Sequence, residues 1–131
     1  MNKFSYILVA LWTFMILLTN LFGSIEGRLY PVVTDFNYYA ISNSGSTNYI
    51  FGSFEKKRDC TFESIRWYIE DSDGRRARIG VTFDIENIRA SGINYFGPWG
   101  TIATLNQLMK QSVVYADHSC HPFWYTTTRI R

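Results

Sequence analysis

The sequence predicts an all-β domain: an immunoglobulin- or fibronectin-like antiparallel sandwich of about seven short strands, preceded by one N-terminal membrane or signal helix. Three observations predict it. The chain opens with an uncharged, mostly apolar run from Phe4 to Phe22. Beyond that run, β-branched and aromatic residues recur in short segments punctuated by turn-forming clusters. The whole chain has two cysteines, Cys60 and Cys120, which suit a single staple in an exported domain.

The apolar run comes first because it sets the compartment. Its residues would rise roughly 28 Å as a helix, close to the ~30 Å hydrocarbon core of a bilayer. Its polar breaks are Ser5, Thr13, Thr19 and Asn20, and Trp12, Phe14, Met15 and the leucines surround every helical face. This is unlike the one-sided stripe of a helix lying on a soluble core. A cleavable leader has a shorter apolar stretch and small residues before the cut. Here a cut after Gly27 leaves Ile25 at the minus-three position, and a cut after Ser24 leaves Phe22 there. The reading favours an uncleaved signal anchor over a cleaved signal. Lys3 and the amino terminus would stay in the cytoplasm, although Arg28 on the far flank opposes this. The boundary falls at residue 27, with 1–27 as the leader and 28–131 as the β-domain. The expected location is a single-pass position in an inner membrane, spanned by Phe4 to Phe22, with the domain in the periplasm or outside. The alternative is a secreted protein with its leader removed.

Charge and composition exclude little else. Without residues 1–27, which hold Lys3 and Glu26, the chain has 12 Lys and Arg against 10 Asp and Glu, a balance of +2. That is too weak to imply a nucleic-acid partner. No Asn-x-Ser/Thr glycosylation sequence is present, which fits a bacterial or viral envelope at least as well as a glycosylating pathway. Closing a loop of about sixty residues with a disulfide contributes roughly 4 kcal/mol in the chain-entropy treatment, a large part of a domain's stability.

The elements follow in order. Gly23 to Pro31 reads as a short tether that keeps the domain near the bilayer. Val32 to Ile41 reads as a strand, Asn43-Ser44-Gly45-Ser46 as a turn and Asn48 to Lys57 as the return strand. Lys56-Lys57-Arg58-Asp59 breaks the pattern, and Thr61 to Glu70 resumes it. Asp71-Ser72-Asp73-Gly74 is a hairpin turn. Arg76 to Asp84 is the clearest alternating strand: Ala77, Ile79, Val81 and Phe83 face one way, and Arg76, Arg78, Gly80 and Thr82 the other. Ile85 to Gly97 is irregular, with turns expected at Ser91-Gly92 and Gly97-Pro98. Trp99 to Thr104 reads as a short strand. Thr104 to Gln111 carries Leu105, Leu108 and Met109 at helical spacing over about two turns. Ser112 to Asp117 and Phe123 to Ile130 complete the strands, with Pro122 at a strand start. Trp67 is expected near the bridge. The first cysteine lies one strand later than in antibody domains, so the reading is a sandwich and not membership of that family.

Three segments carry a resemblance: Arg58-Asp59-Cys60-Thr61-Phe62, Phe96-Gly97-Pro98-Trp99, and His118-Ser119-Cys120-His121-Pro122-Phe123-Trp124-Tyr125-Thr126. They resemble a set of small proteins from marine bacteria and their phages that have an N-terminal membrane segment, a compact β-domain and no assigned activity. The resemblance covers roughly Val33 to Arg129. It implies paired cysteines and implies no catalytic residues.

Candidate chemistry is sparse. His118-x-Cys120-His121 offers zinc-ligand types, with Cys60 as a fourth. On a strand, however, His118 and Cys120 point one way and His121 the other, and a disulfide sulfur is no thiolate. The same alternation argues against a Cys120–His121 nucleophilic pair. No serine elbow, phosphate-binding glycine loop or paired-acid signature occurs. Asp71 and Asp73 supply too few oxygens for calcium and read as turn formers. Lys56, Lys57 and Arg58 could join Arg75, Arg76 and Arg78 in a basic contact patch if the second and fourth strands meet; the plainer reading is edge protection. Tyr38, Tyr39, Tyr49, Phe51, Tyr95 and Phe96 are either core or an aromatic surface for protein or glycan. The expectation is a non-catalytic, cofactor-free binding or structural module with an envelope protein or glycan partner. The alternatives are a small envelope metal enzyme using His118 and His121, and a secreted phage structural or host-envelope-interacting protein.

Overall fold

A computed structural model describes residues 2–43, 45–82 and 89–131. The element order is α1 (Lys3–Leu29), β1 (Val33–Ser42), β2 (Asn48–Lys56), β3 (Thr61–Glu70), β4 (Arg76–Ile79), β5 (Gly92–Thr101), α2 (Leu105–Lys110), β6 (Ser112–Ser119) and β7 (Tyr125–Arg129). The strands form two antiparallel sheets, β1-β2-β5 and β4-β3-β6-β7.

Alternation along the pleated strands sets which side chains enter the space between the sheets. Tyr38, Ile50, Trp67, Phe96, Trp99, Leu108 and Val114 are buried in one cluster, with Phe36, Phe54, Ile79 and Val81 packed against it. Aromatic rings dominate: Phe36 stacks on Phe96 at 5.3 Å, and Tyr38 meets Trp67 edge-on at 5.2 Å. The Trp67 indole N–H donates to Ser112 Oγ, and the Tyr38 hydroxyl donates to the Leu108 carbonyl, so neither buried polar tip is orphaned. Trp67 therefore sits in the main core. The disulfide belongs to a second cluster with Val32 and Val33.

Three expected boundaries move. The region read as a tether is helical: α1 continues to Leu29, past the end of the apolar run. Gly97-Pro98 lies inside β5, which starts at Gly92 and not at Trp99. Gly97 takes a positive φ of 105°, the Gly97–Pro98 peptide is cis, and proline brings no N–H. The ladder with β2 shifts register between Ile50 and Gly52, opposite this pair, and the strand continues through it. The fourth strand is shorter than read. It pairs with β3 only to Ile79, and Thr82 then bridges to Gly100 of β5, so the chain crosses from one sheet to the other at Gly80–Thr82. Phe83 and Asp84 of that reading, the Ile85–Ile88 part of the irregular stretch and Ser44 of the first turn lie outside the described residues.

The short helix α2 forms as its spacing predicts. A capping box fixes its start, with Thr104 Oγ1 accepting from the Gln107 N–H and Gln107 Oε1 accepting from the Thr104 N–H. Leu108 alone of its three apolar residues is fully buried.

Candidate functional site

The end of α1 is built into the β-domain. Gly23 and Gly27 are buried one helical turn apart against the exposed edge of β7. A Cβ at Gly23 would lie 2.1 Å from the Tyr125 carbonyl oxygen, and one at Gly27 1.8 Å from that of Thr127. Glycine at both positions lets helix backbone lie on strand backbone, and the helix covers an edge that would otherwise be open for pairing. Between the two glycines in sequence is Glu26. Its Oε1 accepts from Arg58 Nη2 at 2.8 Å. Its Oε2 accepts from Trp124 Nε1 at 2.8 Å and Thr126 Oγ1 at 3.0 Å, and lies 2.9 Å from His121 Nε2. Arg58 also donates to the Tyr30 carbonyl, and Phe22 packs on Trp124 at 5.3 Å. One carboxylate thus ties the helix to the β2–β3 connection and to the β6–β7 loop. A carboxylate with this many donors forms charge-assisted bonds that are stronger than neutral ones.

The disulfide joins Cys60, just before β3, to Cys120, just after β6, with Cα atoms 4.6 Å apart. Thr61 and Ser119 are already ladder partners, so the bridge extends one β3–β6 pairing by one rung. It lies within a sheet, whereas the antibody-domain bridge crosses between sheets.

The two histidines part company: His118 is on β6, whereas His121 lies beyond its end in the β6–β7 loop. His121 faces Glu26 and packs edge-on to Trp124 at 4.5 Å. His118 points inward, is 3% exposed and packs edge-on to Phe62. Among the described residues its Nδ1 is a buried polar atom without a hydrogen-bond partner. Burial, helped by the nearby Lys56 charge, lowers its pKa from 6.5 to about 4, so the ring is neutral at physiological pH. Among the described residues no three His, Cys, Asp or Glu side chains converge as metal ligands.

The six basic residues are not gathered. Lys56 to Arg58 lie at the start of the β2–β3 connection, while Arg75, Arg76 and Arg78 lie at the other end of β3, about 30 Å away along a ten-residue strand. The second and fourth strands also belong to different sheets. Lys56 is buried and donates to the Arg89 carbonyl at 2.6 Å. Lys57 pairs with Glu55, Arg58 with Glu26, Arg75 with Asp71 and Asp73, and Arg76 with Glu70. Arg78 is exposed on β4. Asp71 Oδ1 accepts the backbone N–H groups of Asp73 and Arg75, which makes it a turn former.

The aromatic residues divide cleanly. Tyr38 and Phe96 point into the core, whereas their neighbours Tyr39 and Tyr95 are 56% and 77% exposed on the outer face of β1-β2-β5. Tyr39 stacks on half-buried Phe51 at 5.6 Å. Between Tyr39 and Tyr95 runs an open groove of about 480 Å³ with Asn37 and Ser53 among its lining. Gly52 also lines it, and a Cβ there would lie 2.2 Å from the Asn37 carbonyl oxygen and 2.6 Å from the buried Phe96 ring. Flat aromatic faces beside amide and hydroxyl groups are the surface chemistry of protein and glycan binders. The opposite outer face is closed. Asp117 takes two bonds from Arg66 and one each from Ser64 and Thr127. Burial opposes its ionisation, but the Arg66, Thr127 and Ser64 bonds prevail and lower its pKa, which locks β3, β6 and β7 together.

Glu26, Gly23 and Gly27 are the residues of this joint that reading the sequence missed. Gly23-Ser24-Ile25-Glu26-Gly27 carries the small-x-x-x-small signal for close backbone approach, with an acid placed at the end of an apolar run. Comparison of the chain with known protein families, with curated proteins and with solved structures gives no match.

Proposed function

We propose that the protein is a single-pass membrane protein whose apolar helix stays attached. On this reading it displays a non-catalytic β-sandwich on the outer side of an inner membrane, where the domain binds an envelope protein or glycan. The observation that carries this reading is the joint between α1 and β7. A cut after Ser24 or Gly27 would remove Gly23, and a cut after Gly27 would also remove Glu26. The first uncovers β7 at Tyr125; the second uncovers it at Thr127 as well and leaves Arg58, His121, Trp124 and Thr126 without their shared acceptor. Thr126 is buried and Arg58, His121 and Trp124 are half-buried, and loss of their shared charged acceptor costs about 1–3 kcal/mol, so the leader is part of the fold. The helix is long and apolar enough to cross a bilayer, and the Cys60–Cys120 bond suits an oxidising compartment.

The fibronectin-like variant of the sandwich suits this domain better than the antibody-like one. Constant-type antibody domains place their fourth strand beside the first sheet, whereas here β4 lies beside β3. The binding face in this reading is the groove between Tyr39 and Tyr95.

Intact mass of protein purified from membranes should include residues 1–27, and a reporter fused after Arg131 should be active only outside the cytoplasm. Full-length protein in detergent should capture a partner from envelope extract, and the Tyr39→Ala, Tyr95→Ala double variant should lose it. A mature mass lacking the leader, or activity of a cytoplasm-restricted reporter alone, refutes the anchor. Capture unaffected by the double variant refutes the groove.

A further inference from the structure

We propose that the β6–β7 loop, residues 120–124, is a second membrane contact, with Phe123 seated in the interfacial layer of the outer leaflet. This rests on the reading of α1 as a retained span. The direction of β7 supplies the geometry. Gly23 lies at Tyr125 and Gly27 at Thr127. Four helical residues rise about 6 Å and two strand residues about 6.6 Å, so helix and strand run side by side in the same direction. As residue numbers fall along β7, the chain descends toward the apolar run. The loop that precedes Tyr125 therefore reaches the level of the helix turn ending at Phe22, and the Phe22–Trp124 ring contact fixes that level.

At this height the surface is apolar on both elements. Leu21 and Phe22 are 54% and 43% exposed on the helix, and Phe123 is 75% exposed on the loop. The loop sequence Cys120-His121-Pro122-Phe123-Trp124 has no carboxylate or permanently charged group. Its polar tips are turned away from the bilayer: the Trp124 indole N–H and the His121 ring both meet Glu26, which lies farther along the helix. Arg58 occupies that next layer, at headgroup height. The order from hydrocarbon outward is thus apolar helix, then aromatic loop, then carboxylate and guanidinium, as at an aromatic belt. The disulfide at Cys120 and the Glu26 bonds hold the loop in place before it meets lipid, so little ordering entropy is lost on contact. The contact fixes the tilt of the domain and leaves the β1–β2 and β3–β4 turns as its distal end.

The test uses full-length protein in nanodiscs of phosphatidylethanolamine and phosphatidylglycerol. The photoreactive residue p-benzoylphenylalanine is placed at one of three exposed positions: Trp12 in mid-span, Phe123, or Ile102 at the distal end. After illumination, intact mass should rise by one phospholipid at positions 12 and 123 and not at 102. Lipid adducts at 12 with none at 123, or cross-linking of 123 to a second copy of the chain, overturn the loop contact and leave the anchor standing. Absence of adducts at position 12 removes the anchor reading, and the loop contact with it.

Discussion

Gly27→Ala tests the joint between helix and domain through the sign of its effect. In an isolated membrane or tether helix, alanine in place of glycine stabilises by up to about 1 kcal/mol. Here the new Cβ would lie 1.8 Å from the Thr127 carbonyl oxygen and 2.5 Å from its carbon, both backbone atoms with no rotamer to change. Restoring even a 3.0 Å contact moves the helix away by 3.0 minus 1.8, or 1.2 Å. The Trp124–Glu26 bond, now 2.8 Å, would then stretch past hydrogen-bonding range unless the loop followed. Overpacking of this kind costs about 1–3 kcal/mol, and partial loss of the carboxylate bonds adds to it. After the propensity gain, the net loss is about 1–3 kcal/mol, a fall in Tm of roughly 5–20 °C for a domain of this size. Thermal unfolding followed by near-ultraviolet circular dichroism in detergent measures it. Gly80→Ala is the control, because nothing lies within 4 Å of its Cβ position. An unchanged or raised Tm for Gly27→Ala would refute the reasoning.

Three further outcomes are expected. Glu26→Gln removes the charge that Arg58 faces and should lower the urea midpoint by the equivalent of about 1–3 kcal/mol; an unaltered midpoint would show that the network is ornamental. Cys60→Ser and Cys120→Ser should each cost about 4 kcal/mol, and the double variant should be no worse than either single, because one bond is lost in every case; additive losses in denaturant titration would mean that the sulfurs act separately. His118, with its folded pKa lowered from 6.5 to about 4, makes the unfolded chain bind more protons between those values. Stability is therefore complete above pH 6.5 and falls as pH drops toward 4, by about 3 kcal/mol in total. His118→Leu should flatten that slope in a series of melts, and an equal slope in both proteins would show that other groups cause it.

Much of the fold was legible because strands and their turns are written locally. β-branched and aromatic composition between turn clusters locates Val32–Ile41 and Asn48–Lys57, and alternation locates Thr61–Glu70, each to within about two residues. Alternation along β1 likewise separates Tyr38 from Tyr39. Such local reading misplaced β5 because Gly97-Pro98 has the composition of a turn, while its role as an irregularity inside a ladder depends on the strand beside it. Whether the six basic residues meet was not legible in the sequence, and they do not. Lys56, Lys57 and Arg58 are close in sequence to Arg75, Arg76 and Arg78, but β3 carries the chain the length of the sheet between them.

By itself, the sequence determined the apolar helix, the antiparallel β character, the approximate limits of every strand but β4 and β5, and the single Cys60–Cys120 pairing, because each rests on local composition or on there being one way to pair two sulfurs. Tertiary structure alone decided that β5 pairs with β2, that Lys56 is buried, and that the helix continues to Leu29 and lies on β7. Glu26 stands 95 residues from His121 and 98 from Trp124, and no local period records which distant donors will converge on a carboxylate. Such contacts form only once two sheets have packed and brought remote segments to one edge, where close fit and charge select the partners.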